Sequence, residues 1–300
     1  MSKPRTRLAA RLVSAISAAS AAAAVMLTAS ATGRAEPRLT ATVFTGSPGG
    51  FLVDSTLVAG DKDAILIDAQ FDLADAHRLI AMILDSKKHL TTVYVTHFHP
   101  DHYFGLAAIQ QAFPTAKLVA LPAAVAKIKK TWQDKVKQWG PMYGDLVPAR
   151  PVLPAPLQGG TLTLEGQTLE IHGGVQGDTE DNSYVWIPSI KTIVAGDIVY
   201  RGVHAWTRET TVAQRKAWRK TLDGLAALKP DTVIAGHKAP NQKDDAGAID
   251  ATRAYLDAFD AAVASSKTSA EAQQKVKANY PEAQLDIILQ LGADAAFPAK

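Results

Sequence analysis

His97, His99, Asp101 and His102 fall within six residues, directly after the apolar run Thr92-Val93-Tyr94-Val95. Side chains alternate along a strand, so a strand that ends at Thr96 and opens into a turn points His97 and His99 the same way. These two can chelate one ion, while Asp101 and His102 lie round the bend and can reach a second. Neutral imidazole and carboxylate are the usual ligands of zinc-like ions, and a catalytic site keeps one position open for water. Only 8 histidines occur in 300 residues, and three of them are here. That density is poorly explained by a polar loop that merely happens to hold histidines.

The elements that must position this cluster are legible around it. Strands are expected at Thr40–Phe44, Phe51–Val58 and Ala64–Asp68, with Gly60-Asp61-Lys62-Asp63 as a hairpin turn. Asp72 can cap a helix to about Ser86 with Leu73, Ala76, Ile80, Ile83 and Leu84 on one face. The strand Val93–Val95 then delivers the histidines. A helix from Gly105 to Phe113, a strand Lys117–Ala120 and a helix from Pro122 to Gln138 follow, before a proline-rich loop.

The second half repeats that order: strands at Thr161–Leu164, Thr168–His172, Tyr184–Ile187 and Thr192–Ala195, then a helix with a Thr211/Gln214 capping box. Pro230 ends that helix, and Asp231–Ala235 is a last strand running into Gly236-His237. Two strand-rich halves with covering helices predict an α/β fold, two sheets face to face with helices outside: a four-layer αββα sandwich. After Pro240 the chain reads as helices at Asp244–Ser265, Ser269–Asn279 and Pro281–Leu291, with an apolar stripe Leu285, Ile288, Leu289, Leu291 to pack on the body.

The first 35 residues read as a leader. Lys3, Arg5, Arg7 and Arg11 precede an alanine-rich apolar stretch from Leu12 to Leu27, and Ala29-Ser30-Ala31 or Gly33-Arg34-Ala35 suits a signal peptidase. The expected organisation is therefore a signal segment over 1–35, a catalytic domain over 36–240 and a helical extension over 241–300, in a periplasmic or secreted protein with no membrane attachment after cleavage. The formal charge of +3 becomes −1 once the four basic leader residues leave with cleavage at Ala31, so nothing suggests a nucleic-acid partner. Lys127, Lys129, Lys130, Lys135 and Lys137 recur at helical spacing and read as a solvated face. With no cysteine there are no disulfides, and stability must come from the core.

Over roughly Thr40 to Pro240 the sequence resembles the metallo-β-lactamase superfamily. Its His-x-His-x-Asp-His motif is matched at all four positions. Ala195-Gly196-Asp197 resembles the strand-end Gly-Asp whose aspartate bridges two metals, and Ile234-Ala235-Gly236-His237 resembles the closing Gly-His of the second metal site. One position departs. Where the family has Gly-His-Thr, this chain has Gly177-Asp178-Thr179, so Asp178 stands for the third histidine of the first site.

The resemblance implies a hydrolase with two divalent ions, zinc first, with manganese or iron as alternatives. The first would be held by His97, His99 and Asp178, the second by Asp101, His102 and His237, with Asp197 between them and Asp101 also assigned a catalytic role. A hydroxide held between the ions would attack a small substrate's carbonyl. Export disfavours internal tasks such as thioester or RNA processing. The absence of cysteine and of an assignable cation for a drug carboxylate favours an ester or lactone over a β-lactam. A non-catalytic metal-binding protein is the alternative of another class. His204 and Trp206 follow Asp197 on a loop expected to border the cleft as substrate contacts, and Trp132, Trp139, Met142 and Tyr143 are candidates for its wall. His172 could replace the missing third ligand. Gly46-Ser47-Pro48-Gly49-Gly50 lacks the lysine of a phosphate loop and reads as a flap. Oligomeric state is not legible.

Overall fold

The computed structural model describes residues 38–298; the expected leader lies outside them. Strands β1 (Thr40–Thr45), β2 (Asp54–Ala59) and β3 (Asp63–Ile67) form an antiparallel meander. Helix α1 (Leu73–Asp85) crosses to β4 (His89–Val95), which pairs parallel with β3. Then α2 (Leu106–Ala112), β5 (Lys117–Ala120), α3 (Pro122–Tyr143) and β6 (Ala155–Pro156) extend the sheet in the order β1-β2-β3-β4-β5-β6.

The second sheet begins with β7 (Thr161–Leu164), β8 (Gln167–Val175), β9 (Asn182–Ile187) and β10 (Thr192–Val194), each antiparallel to the last. After β11 (Tyr200–Arg201) and α4 (Val212–Ala227), β12 (Thr232–Ile234) joins it parallel to β10. A short β13 (His237–Lys238) pairs with β11, and α5 (Gly247–Ala264), α6 (Ser269–Asn279) and α7 (Asp286–Ala296) follow.

The layering follows from strands that are apolar on both faces. In β3, Ile65 and Ile67 join a cluster between the two sheets, while Ala64 and Leu66 join the core under the first group of helices. In β9, Val185 and Ile187 face the other sheet, and Tyr184 and Trp186 face the second helical layer. Val194 of β10 and Ile234 of β12 alternate with Ile193 and Val233 in the same way. The result is the expected αββα sandwich with C-terminal helices. No helix among the described residues is long and apolar enough to cross a membrane.

Several elements differ from the sequence reading, each for a physical reason. In α1, Asp72 caps as expected, its carboxylate accepting from the Asp75 amide at 2.8 Å. Leu73 and Leu84 are nevertheless exposed, and Leu79 takes their place against the core. Helix α3 runs five residues past Gln138 and through Pro141, because Trp139 and Tyr143 pack edge-on against Phe71. Strand β2 starts at Asp54 rather than Phe51, because Phe51 and Leu52 have left-handed φ of 64° and 55° that no strand accommodates. The last helix starts at Asp286 rather than Pro281, because Gln284 pairs in extended form with Gly202 and His204.

Candidate metal centre

Each candidate ligand leaves a strand end at the same edge of the sandwich. Thr96 directly follows β4, and its amide and hydroxyl both donate to Asp68 Oδ1, at 2.8 and 3.1 Å, just past the end of the neighbouring β3. Asp101 and His102 occupy a short 3-10 turn, Pro100–His102. Asp178 lies in the loop before β9, its amide donating to the Asp197 carbonyl at 3.1 Å. Asp197 sits in the turn Gly196–Ile198 after β10, and His237 opens β13 after β12. Gly236 must be glycine, since a Cβ there would lie 2.2 Å from Asp197 Oδ1 and 2.5 Å from the Gly196 carbonyl carbon.

Loops far apart in sequence thus converge on two groups, His97/His99/Asp178/Asp197 and Asp101/His102/His237. The two adjoin through Asp197. Its Oδ1 lies 3.1 Å from His102 Nε2, and its Oδ2 lies 3.2 Å from His237 Nε2 and 3.6 Å from His97 Nε2. Asp178 Oδ2 lies 2.8 Å from His99 Nδ1, while its Oδ1 accepts from Asn182 at 2.8 Å. Asp101 Oδ2 lies 3.3 Å from His237 Nε2.

Each imidazole turns one nitrogen outward to a fixed partner. His97 Nδ1 meets Thr96 Oγ1 at 3.0 Å, His102 Nδ1 meets Asp68 Oδ2 at 2.8 Å, and His237 Nδ1 meets the Phe51 carbonyl at 2.6 Å. His99 is reversed: its Nε2 faces Glu209 Oε1 at 3.4 Å, and its Nδ1 points inward. Outer partners of this kind fix ring orientation and tautomer at metal sites. Sequence reasoning does not single out Asp68, Glu209 or Tyr200, whose hydroxyl donates to Asp197 Oδ2 at 2.7 Å. Asp68 is visible there only as the end of a strand beside the histidine strand, and Glu209 carries no signal.

Whether the residues fit divalent ions is decided by what they lack. His97 Nε2, His102 Nε2, Asp178 Oδ2 and Asp197 Oδ1 are buried and, despite the close nitrogen–oxygen approaches among them, make no well-aligned hydrogen bond, although buried polar atoms are almost always paired. The charges lean the same way. Burial opposes a charged His237, yet the carboxylates of Asp197 and Asp101 outweigh it and lift the ring to about 10. Burial likewise opposes a charged His99, but Asp178 and Glu209 raise it to about 9. Burial would raise Asp197, and His237, His102 and His97 hold it well below the carboxylate range. Carboxylates crowded this closely demand positive charge, and oxygen and nitrogen donors suit zinc, manganese or iron alike. The residues fit.

The other candidates fall in different places. Trp206 stands edge-on to His99 with centroids 6.1 Å apart and walls the cleft. His204 borders the cleft but is held by Tyr255 Oη at 3.1 Å from Nδ1 and Asp286 Oδ1 at 3.6 Å from Nε2, tying its loop to the C-terminal helices. Trp139 lines the cleft, Met142 is exposed, and Tyr143 donates to the Gly49 carbonyl at 2.7 Å. The glycine-rich stretch is a loop pinned by Asp75, which accepts from the Ser47 amide and hydroxyl at 2.8 and 2.7 Å; it presents Phe51 to the cleft. His172 stacks on Tyr184 and pairs with Glu170, so it does not join the ligands. Two of the clustered lysines are more than a solvated face. Lys127 and Lys135 both lie over the Phe98 ring, and Lys135 reaches Glu209 at 3.3 Å.

The cleft over both groups has a volume of about 480 Å³ including its open mouth. Its walls come from Phe51, Trp139, Trp206, Leu285 and Ile288.

Comparison with known proteins agrees with this geometry. A profile of the metallo-beta-lactamase superfamily matches residues 48–237. A "metallo-beta-lactamase type 2" of Bacillus cereus is 29% identical over 179 residues, covering 59% of this chain, and one of Bacillus sp. (strain 170) is 27% identical over the same length and share. The chain spans 63% of the length of each of these curated relatives. Among solved structures, a metallo-beta-lactamase family protein from Thermus thermophilus superposes with a TM-score of 0.62 at 19% identity, covering 86% of this chain and 91% of that one.

Proposed function

The chain belongs to the metallo-beta-lactamase superfamily, and from that premise we propose that it is an exported, metal-dependent hydrolase of uncharged esters or lactones. The observation that carries the substrate reading is the charge of the cleft. Lys135 is the one lysine or arginine among its lining residues, and Glu209 already neutralises it at 3.3 Å. Away from the metal ligands, a substrate carboxylate therefore meets no unpaired lysine or arginine in this lining, whereas a neutral substrate meets apolar wall.

His97, His99 and Asp178 would hold one divalent ion, and Asp101, His102 and His237 another, with Asp197 shared between the groups. Such ions, when bound, polarise a carbonyl and make water acidic enough to attack it at neutral pH. The remaining work belongs to side chains. Asp101 and Asp197 both line the cleft, and Asp101, 14% exposed against 2% or less for Asp178 and Asp197, is the most accessible of the three carboxylates. It is placed to take a proton from the attacking water and return it to the departing alkoxide as the acyl–oxygen bond breaks. Tyr200 holds Asp197 by the hydrogen bond to its Oδ2 and stacks parallel to His237 at 5.2 Å, keeping both fixed. Phe51, Trp139 and Trp206 exclude bulk water from the reacting carbonyl.

The names of the two Bacillus relatives support β-lactam hydrolysis as a second reading. Nitrocefin assayed beside aliphatic lactones and p-nitrophenyl esters, with metal content measured on the same protein, separates the possibilities. Ester or lactone turnover with about two ions per chain is expected. Nitrocefin turnover alone would transfer the assignment to β-lactams, and no bound ion after supplementation would favour a non-catalytic protein. Export rests on the basic and apolar character of residues 1–35, and amino-terminal sequencing of the secreted or periplasmic protein tests it.

A further inference from the structure

We infer that the cleft is a pocket for an unbranched alkyl chain on a neutral ester or lactone, and that Leu285 and Ile288 set the chain length it accepts. The inference rests on the hydrolase reading of the same cleft and adds the residues that choose the substrate. Both residues lie beyond the stretch 48–237 that the superfamily profile covers, so the selecting wall is supplied by a part of the chain outside the matched scaffold.

The C-terminal segment is brought to the cleft by specific contacts. The Gln284 amide donates to the Gly202 carbonyl at 3.1 Å, and the His204 amide donates to the Gln284 carbonyl at 2.9 Å. Leu285 then adopts a left-handed φ of 68°, which turns the chain from that pairing into α7. The turn carries Leu285 and Ile288, one helical turn apart, to the cleft wall. One turn further along the same face, Gly292 lets α7 approach the Trp206–Thr207 loop so closely that a Cβ would sit 2.3 Å from Thr207 Oγ1. The helix is thus seated against the loop that carries the tryptophan over His99.

The chemistry of the wall names the occupant. Leu285 and Ile288 share the cleft wall with Phe51, Trp139 and Trp206, and Lys135, the one lysine or arginine of the lining, is taken by Glu209. This surface rewards burial of methylenes and offers a second charged group nothing. Each CH₂ buried contributes about 0.8 kcal/mol, equivalent to about fourfold in specificity.

The test uses p-nitrophenyl esters from acetate upward, with straight-chain methyl ketones as uncleavable neutral ligands measured by calorimetry. For the wild-type protein, kcat/KM should rise about fourfold per methylene until the cleft is full, then level off, and ketone affinity should follow the same order. Ile288→Ala should move the plateau to longer chains and Ile288→Phe to shorter ones; opposite displacements cannot come from a general loss of fold. A flat series, or a plateau that neither variant moves, overturns the inference while leaving ester hydrolysis in place. Chain-length-dependent ketone binding without cleavage of any ester supports the pocket and removes the hydrolase reading instead.

Discussion

Asp178 Oδ2 lies 2.8 Å from His99 Nδ1, so a carboxylate faces the inward nitrogen of the reversed histidine. A carboxylate there makes the centre one unit more negative than a histidine would. Less net positive charge acidifies bound water less. Asp178→His is therefore expected to move the activity optimum to lower pH and to raise the preference for zinc over manganese. Metal analysis and a pH–rate profile check this. If both stay as in the wild type, Asp178 holds no ion.

Glu209 acts on the centre through His99. It lies 3.4 Å from the outward nitrogen and is itself anchored by Lys135 at 3.3 Å. Removing an outer carboxylate from a metal-bound histidine costs roughly 10- to 100-fold in metal affinity. Glu209→Gln should show a loss of that order in competition with a chromophoric chelator, and Lys135→Met a smaller one in the same direction. An altered Co(II) absorption spectrum should accompany both. Unchanged affinity and spectrum in Glu209→Gln would make the contact incidental.

What is legible in the sequence and what is hidden divide along a physical line. The sandwich is readable because runs such as Ala64–Ile67 in β3 and Tyr184–Ile187 in β9 are apolar at consecutive positions, as burial on both faces requires. His97, His99, Asp101 and His102 are readable because their spacing is local. Asp178, Asp197 and His237 need the superfamily resemblance, since a lone Gly-Asp or Gly-His is a common turn. Asp68 and Glu209 stay invisible because their roles depend on tertiary approach: Asp68 reaches Thr96 from 28 residues away, and Glu209 reaches Lys135 from 74, whereas Tyr200 bonds Asp197 locally and gains its second contact by stacking on the distant His237. The start of α7 departs from the expected position for the same reason, being set by Gln284 pairing with a loop some 80 residues earlier.

Trp218 shows how the second helical layer supports the centre. It is fully buried on α4, and its indole donates to the Ile198 carbonyl at 2.8 Å, in the turn that carries Asp197. Trp218→Ala should cost about 3–5 kcal/mol of unfolding free energy. Trp218→Phe keeps most of the volume but leaves that carbonyl unpaired, costing about 1–3 kcal/mol. Urea titrations measure both. Metal affinity should also fall in Trp218→Phe if the turn loosens, whereas a loss of stability alone would confine the indole to packing.

His204 ties the cleft loop to the C-terminal helices, and its protonation should loosen that tie. Burial drives its pKa from 6.5 down to about 4, outweighing the attraction of Asp286, with Lys277 pushing the same way as burial. Tyr255 Oη meets its other nitrogen from α5. The folded value lies below the unfolded one, so the contribution is full above pH 6.5 and is lost as pH falls toward 4. The drop corresponds to at most about 3 kcal/mol. His204→Gln removes the titration, so the wild-type protein should lose stability more steeply than the variant between pH 7 and pH 4.5. Because metal-site groups titrate in both proteins, the difference between the two urea midpoints isolates His204. Hydrogen exchange in α7 should quicken over the same interval in the wild type and not in the variant. Parallel curves would mean that His204 stays neutral throughout, or that α7 is held without it.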